Sequence, residues 1–189
     1  MEIRETFYAP DWRKWRAWLK ANHKLKKEVW LIYYRKASGK KRIPYNDAVE
    51  EALCFGWIDS TVKRVDDKRF AQRFTPRKRT SVLSQMNKER IRKLIREKRM
   101  TSAGLNAVSH VFVHNPDHEA SVIPKSVLNA IRKDKDAWKH FQKFPEHYKR
   151  IRIAYIVDRK YQGKEAFKRS LDHFIRMTSK NKRFGMIRD

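Results

Sequence analysis

Asp59 is the carboxylate in this sequence whose setting lends itself most readily to chemistry. It follows Gly56-Trp57-Ile58, so core residues flank it, and Lys63, Arg73, Arg77 and Lys78 fall where a hairpin would carry them across to it. Two readings stay open. One is a polar pocket of Trp57, Asp59 and Lys63 with perturbed pKa values, since burial beside charge is how such sites are made. The other is a structural ion pair, or a cap on a nearby backbone N–H.

A second constellation is cationic. Residues 68–99 hold thirteen Lys/Arg against two acids, Glu89 and Glu97. Within it, Arg73, Arg77, Lys78 and Arg79 run into Ser81 and Ser84, either of which can start a helix. Basic side chains beside the unpaired N–H groups of a helix start form an anion-binding arrangement. A solvated helix face accounts for the same residues.

Other reactive types carry less. His110, His114 and His118 are spaced i, i+4, i+8, with Asp117 and Glu119 beside them. Two histidines one turn apart can chelate a metal, but Pro116 interrupts any helix there, and the stretch reads as a solvated linker. Cys54 lies between Leu53 and Phe55 with no histidine near it in sequence, which suits a small buried hydrophobe. As the sole cysteine it excludes an intrachain disulfide and fits a reducing compartment. No G-x-x-x-x-G-K-S/T, G-x-G-x-x-G or G-x-S-x-G is present, so phosphate-cradling loops and hydrolase elbows of those kinds are excluded. Nor does any RNP-type aromatic motif, helix-turn-helix signature or zinc spacing specify a known nucleic-acid fold.

The elements that must position these residues are legible in outline. Asp11 after Pro10 caps a first helix with Trp12, Trp15, Trp18 and Leu19 on its apolar side. Val29-Trp30-Leu31-Ile32-Tyr33-Tyr34 is a continuous β-rich run and reads as a buried strand. Asn46 caps a second helix, Asp47 to Phe55, which stops at Gly56, where a positive φ is wanted. Trp57–Val65 and Arg69–Arg77 flank Asp66-Asp67-Lys68 and read as an antiparallel hairpin. Phe70, Gln72 and Phe74 then share one face, with Ala71 and Arg73 on the other. A long helix follows to about Lys98, with Val82, Leu83, Met86, Ile91, Leu94 and Ile95 inward, and another covers Thr101–Val113. Helical patterns return at 124–133, 135–143, 146–161 and 164–178.

Composition sets the bounds. The 189 residues include 6 Trp, 7 Tyr and 10 Phe, enough aromatic surface for a real core. The net charge of +26 draws anions of any kind, nucleic acid, lipid headgroups or acidic proteins. Both halves carry that charge at nearly equal density, so the bulk value locates no site and is equally compatible with a proteome-wide habit. The first seven residues contain no apolar signal core, and the longest apolar run is far short of the ~20 residues that cross a bilayer. A cytoplasmic protein with no transmembrane segment is therefore expected.

Two strings carry a family resemblance. One is Tyr45-Asn46-Asp47-Ala48-Val49-Glu50-Glu51-Ala52-Leu53-Cys54-Phe55-Gly56-Trp57-Ile58-Asp59-Ser60, followed by Phe74-Thr75-Pro76-Arg77-Lys78. The other is Ser81, Ser84 and Asn87 with Met100-Thr101-Ser102-Ala103-Gly104-Leu105. Together they resemble the YdeI/OmpD-associated, or bacteriocin-protection, proteins over roughly residues 5–108. The C-terminal helices resemble that family's helical module. The resemblance implies a YjbR/CyaY-like fold and a cytoplasmic role in tolerance of envelope-attacking peptides, and supplies no catalytic residues. Frataxin-like folds would suggest iron, yet hard cations need clustered carboxylates. The first helix offers Arg13, Lys14, Arg16 and Lys20 against Asp11 alone, so no metal or cofactor is expected.

The sequence thus specifies an α+β protein. Residues 1–112 form a small antiparallel sheet packed with helices, 113–122 a linker, 123–180 a helical module and 181–189 a basic tail. The leading function is a non-enzymatic protein with an anionic partner, in envelope or antimicrobial-peptide stress tolerance. The alternative is nucleic-acid binding through residues 68–99. A third reading, an enzyme for a small acidic metabolite built around Asp59, has the least support.

Overall fold

The computed structural model describes residues 2–110 and 123–187. The linker region, with His114, Asp117, His118 and Glu119, lies outside them. The protein is α+β and divides into two compact units, Met1–Leu83 with Arg90–Val113, and Ser84–Glu89 with His114–Asp189.

The first unit is built on a four-stranded sheet of order β1-β2-β4-β3, from Thr6–Tyr8 (β1), Val29–Tyr34 (β2), Trp57–Arg64 (β3) and Arg69–Pro76 (β4). The hairpin β3–β4 and the pairing of β2 with β4 are antiparallel, as expected. The sheet is nevertheless mixed, because β1 runs parallel to β2. Three residues are too few to show a period, so this edge strand leaves no sequence signal. Successive side chains alternate across a strand. Val29, Leu31, Phe74 and Trp57 accordingly meet the helices in the main core, while Trp30, Ile32 and Ala71 form a small buried cluster on the opposite face. The β3–β4 register slips between Asp59 and Val62, a bulge that re-aims the strand.

Helix α1 (Trp12–Asn22) starts as its sequence indicates, with Asp11 accepting from the Lys14 N–H at 3.0 Å. Trp15 and Leu19 are fully buried, and Trp15 Nε1 donates to the Ala48 carbonyl at 3.0 Å. Trp12 instead stays 39% exposed. Helix α2 (Tyr45–Cys54) begins after Pro44, and Asn46 does not cap it; its side chain is buried and accepts from Arg90 at 2.7 Å. Pro44 fixes the φ of the entry, and the helix starts two residues earlier than the Asn signal suggests. Helix α3 (Gln85–Arg96) places Ile91 and Leu94 in the core, whereas Val82 precedes it and is 88% exposed. Helix α4 is Ser102–Val108.

The two strings that resemble one family turn out to be one packing unit. Gly56 has φ +74°, and a Cβ there would come 2.7 Å from the Cβ of Ala107. A Cβ at Gly104 would fall on the carbonyl oxygen of Cys54. That oxygen already accepts from the Thr101 N–H at 3.1 Å and from its hydroxyl at 2.6 Å, while Thr101 caps α4. Above this contact Glu51, with no exposed surface, accepts from Arg16 and from Arg99, each at 2.6 Å. Burial first, and the neighbouring Glu51 carboxylate second, push the Cys54 thiol up to about 11, so it stays neutral and is an apolar filler.

The second unit contains α5 (Lys125–Lys133), α6 (Lys135–Lys143), α7 (Glu146–Asp158) and α8 (Lys164–Ser179). Asp134 ends α5 and caps α6, accepting from the Ala137 N–H at 2.9 Å. Val127, Ile131, Phe141, Tyr148, Ile156 and Phe174 form its core. The segment expected as a basic tail is partly docked on it: Phe184 packs there, and its N–H donates to Tyr148 Oη at 3.2 Å. Among the described residues, no helix is long and apolar enough to cross a membrane.

Gly104→Ala is expected to lower stability by about 1–3 kcal/mol through overpacking alone, read as a fall in Tm by circular dichroism. Gly39→Ala is the comparison for backbone strain without crowding, since φ there is +68° with nothing within 4 Å. Glu51→Gln removes the carboxylate that Arg16 and Arg99 share, leaving Arg99 with Glu50 and Glu97, and is expected to cost about 3 kcal/mol; an unchanged Tm would refute that role for Glu51.

Candidate anion-binding site

The cationic stretch begins on β4 and runs into the segment before α3. Its members have different fates. Arg73 is already neutralised: its Nε donates to Glu28 at 2.9 Å, and that hydrogen bond holds the Glu28 carboxyl below its usual value. Arg69 pairs with Asp66, and Arg99 with Glu50, Glu51 and Glu97. These three are structural ion pairs and are not free to meet a ligand.

Arg77 differs. Its backbone N–H continues the sheet edge by donating to Gly56 O at 2.8 Å, which carries the side chain inward from the end of β4. The residue is only 8% exposed. Nη2 donates to the Ser81 carbonyl at 2.7 Å, but among the described residues buried Nε and Nη1 have no partner. No carboxylate of the described residues is paired with the group, and burial lowers its pKa. A buried guanidinium is normally paired, because removing a charge from water without compensation is expensive. The next two residues, Lys78 and Arg79, are exposed, and the Arg79 carbonyl contacts His110 Nε2. Ser81 therefore serves through its carbonyl. Ser84 is the residue that starts α3, its hydroxyl accepting from the Asn87 N–H at 3.3 Å.

Asp59 has uncharged partners. Tyr45 donates to it at 2.8 Å, and Gln72 reaches the same oxygen at 3.5 Å. Lys63, Arg73, Arg77 and Lys78 are not its hydrogen-bond partners: Asp59 lies opposite Phe74, so alternation turns Arg73 to the other face, and the one-residue slip after Asp59 does the same to Lys63. Trp57 is 1% exposed and anchors the core, donating from Nε1 to His23 O at 3.2 Å. Sequence reasoning missed two phenols here. Burial, and then the bond to Asp59, push Tyr45 up to about 12. Burial also raises Tyr33, whose hydroxyl is enclosed and unpartnered. Alternation along β2 places Tyr33 inward, and that was the available signal. Asp59, Tyr45 and Gln72 form a hydrogen-bonded cluster. Among the described residues, no group of three or more His, Cys, Asp or Glu could hold a metal ion.

Comparison with known proteins gives two family matches in different parts of the chain. Residues 7–107 match the family described as Domain of unknown function (DUF8412). Residues 120–181 match the family described as Bacteriocin-protection, YdeI or OmpD-Associated. The latter match falls on the C-terminal helices, whereas the resemblance read from the sequence rested mainly on residues 45–105. Comparison with curated proteins and with solved structures gives no significant match. With more than half of its length under the first of the two models, the chain belongs to the family described as Domain of unknown function (DUF8412), and it carries a C-terminal segment similar to the bacteriocin-protection, YdeI or OmpD-associated proteins.

Proposed function

We propose that this is a non-enzymatic protein of the YdeI/OmpD-associated type that binds an anionic partner through Arg77, Lys78, Arg79 and the turn at Ser81. The observation that carries the reading is Arg77: a residue only 8% exposed, whose guanidinium Nε and Nη1 have no partner and which is paired with no acid among the described residues. An anion reaching it would satisfy both groups, and charge-assisted hydrogen bonds of that kind are about twice as strong as neutral ones. Lys78 and Arg79 supply an exposed cationic approach that raises the rate of encounter. The similarity over residues 120–181 to bacteriocin-protection proteins is the support for a role in tolerance of envelope-attacking peptides. The YjbR/CyaY-like grouping rests on the resemblance in the sequence alone.

The partner's class is decided by titration. Labelled single- and double-stranded DNA, followed by fluorescence anisotropy, and anionic vesicles, followed by co-sedimentation, are compared at two salt concentrations. Affinity is expected to fall steeply with salt, since each neutralised phosphate releases about 0.7–0.9 counterion. Lys78→Glu with Arg79→Glu is expected to weaken binding far more than Lys180→Glu with Lys182→Glu. Strong binding of DNA alone selects the nucleic-acid alternative within this reading. Equal losses from both double variants, or no binding of either probe near physiological salt, would reject a localised site. Arg77→Met is expected to abolish binding while leaving Tm unchanged or raised, because a buried unpaired charge is exchanged for an apolar side chain. A large fall in Tm would instead make Arg77 a structural residue.

A further inference from the structure

A second cationic site lies wholly within the C-terminal unit, on residues that the reading above does not use. Helix α7, the 3-10 turn Arg159–Gln162, α8 and the docked C-terminal stretch enclose a cleft of about 580 Å³. Three arginines line it, Arg152, Arg159 and Arg169, and among the described residues none that lines it is acidic. Asp158, Glu165 and Asp172 stand on the same elements but do not line it.

The arginines are held in place by uncharged groups. The Arg152 guanidinium lies 3.9 Å from the ring centre of Phe184 and 5.0 Å from that of Tyr155. Its Nε is buried without a hydrogen-bond partner, and burial lowers its pKa. Cation–π contacts fix a guanidinium's plane while leaving its N–H edge available. Arg159 donates to Tyr155 Oη and to Gln162 Oε1 and so is aimed by neutral acceptors that a stronger anion can replace. Arg169 is exposed at the rim. Ser170 adds a hydroxyl to the lining.

We infer that this cleft binds a small phosphorylated ligand through Arg152, Arg159 and Arg169. Three guanidiniums with no carboxylate among them match an anion carrying two or more charges better than a single carboxylate does. Planar N–H forks fit the oxygens of a phosphate or pyrophosphate group. The volume of this open cleft lies within the range of small-molecule sites and leaves room for an organic portion beyond the phosphate.

Isothermal titration of the full chain with pyrophosphate, inorganic phosphate and citrate at low salt tests this. Saturable binding of pyrophosphate or phosphate, tighter than that of citrate, is expected. Arg169→Gln and Arg152→Met are each expected to weaken it by about tenfold or more, the loss of one charge-assisted contact. Lys125→Gln with Lys133→Gln, on α5 in the same unit, should stay within about twofold of the parent. The Lys78→Glu, Arg79→Glu protein should keep its pyrophosphate binding, so that this site and the Arg77 segment fail or stand separately. Circular dichroism checks each variant's fold, and Arg169→Gln, at the rim, decides the matter if Arg152→Met does not fold. Equal losses from the cleft and α5 variants, citrate binding as tight as pyrophosphate, or no binding of either phosphate would overturn the proposal.

Discussion

The first unit depends on a single buried carboxylate. Glu51 sits in the last turn of α2 with no exposed surface and accepts from Arg16 on α1 and from Arg99, which follows α3. A buried charge with one partner removed is far more costly than the pair is favourable. The three segments must therefore arrive together, and Arg16 adds a second tie by donating to the Arg99 carbonyl at 3.0 Å. Just below, the Cys54 carbonyl receives two bonds from Thr101 and leaves no room for a side chain at position 104. Residues far apart in sequence are thus required as a set. That is why Glu51, Gly56, Thr101 and Gly104 read as a family signature although none of them is placed to act on a ligand.

This explains which parts of the fold were legible. Local chemistry was: the Asp11 cap, the positive φ at Gly56, the buried strand Val29–Tyr34 and the hairpin were all visible because each is decided by neighbours in sequence. Features set by tertiary partners were not. Three-residue β1 has no pattern of its own and exists because β2 offers an edge. Asn46 looked like a cap, yet Pro44 moved the helix start and Arg90 took the side chain. For the site, the cationic run could be read as a run, but its division between paired and unpaired members could not. Glu28 lies 45 residues from Arg73, and nothing local marks them as partners. Asp59 is satisfied by Tyr45 and Gln72 and not by a cation, because Gln72 shares the face of Phe74, its cross-strand neighbour, while Arg73 alternates to the other face.

The large positive charge therefore has internal structure. Arg16, Arg69, Arg73 and Arg99 are consumed by carboxylates that hold the fold. Arg77 and Arg152 are desolvated and have no such partner among the described residues, and burial depresses both. Net charge describes solubility and encounter with anions in general. The arginines that a protein buries without an acid are the more specific signal, since each persists against its desolvation cost.

The bulge between Asp59 and Val62 also has a bearing on self-association. Strand β3 is eight residues long and forms one border of the sheet, leaving a row of backbone groups without a neighbouring strand. Flat borders of that length template the addition of foreign strands. Here the irregular register interrupts the row near its middle, and Lys63 and Arg64 place like charges at its far end. A second copy approaching in register would meet both a misaligned ladder and mutual repulsion. An 8-residue border that would otherwise invite edge-to-edge aggregation is thereby blunted.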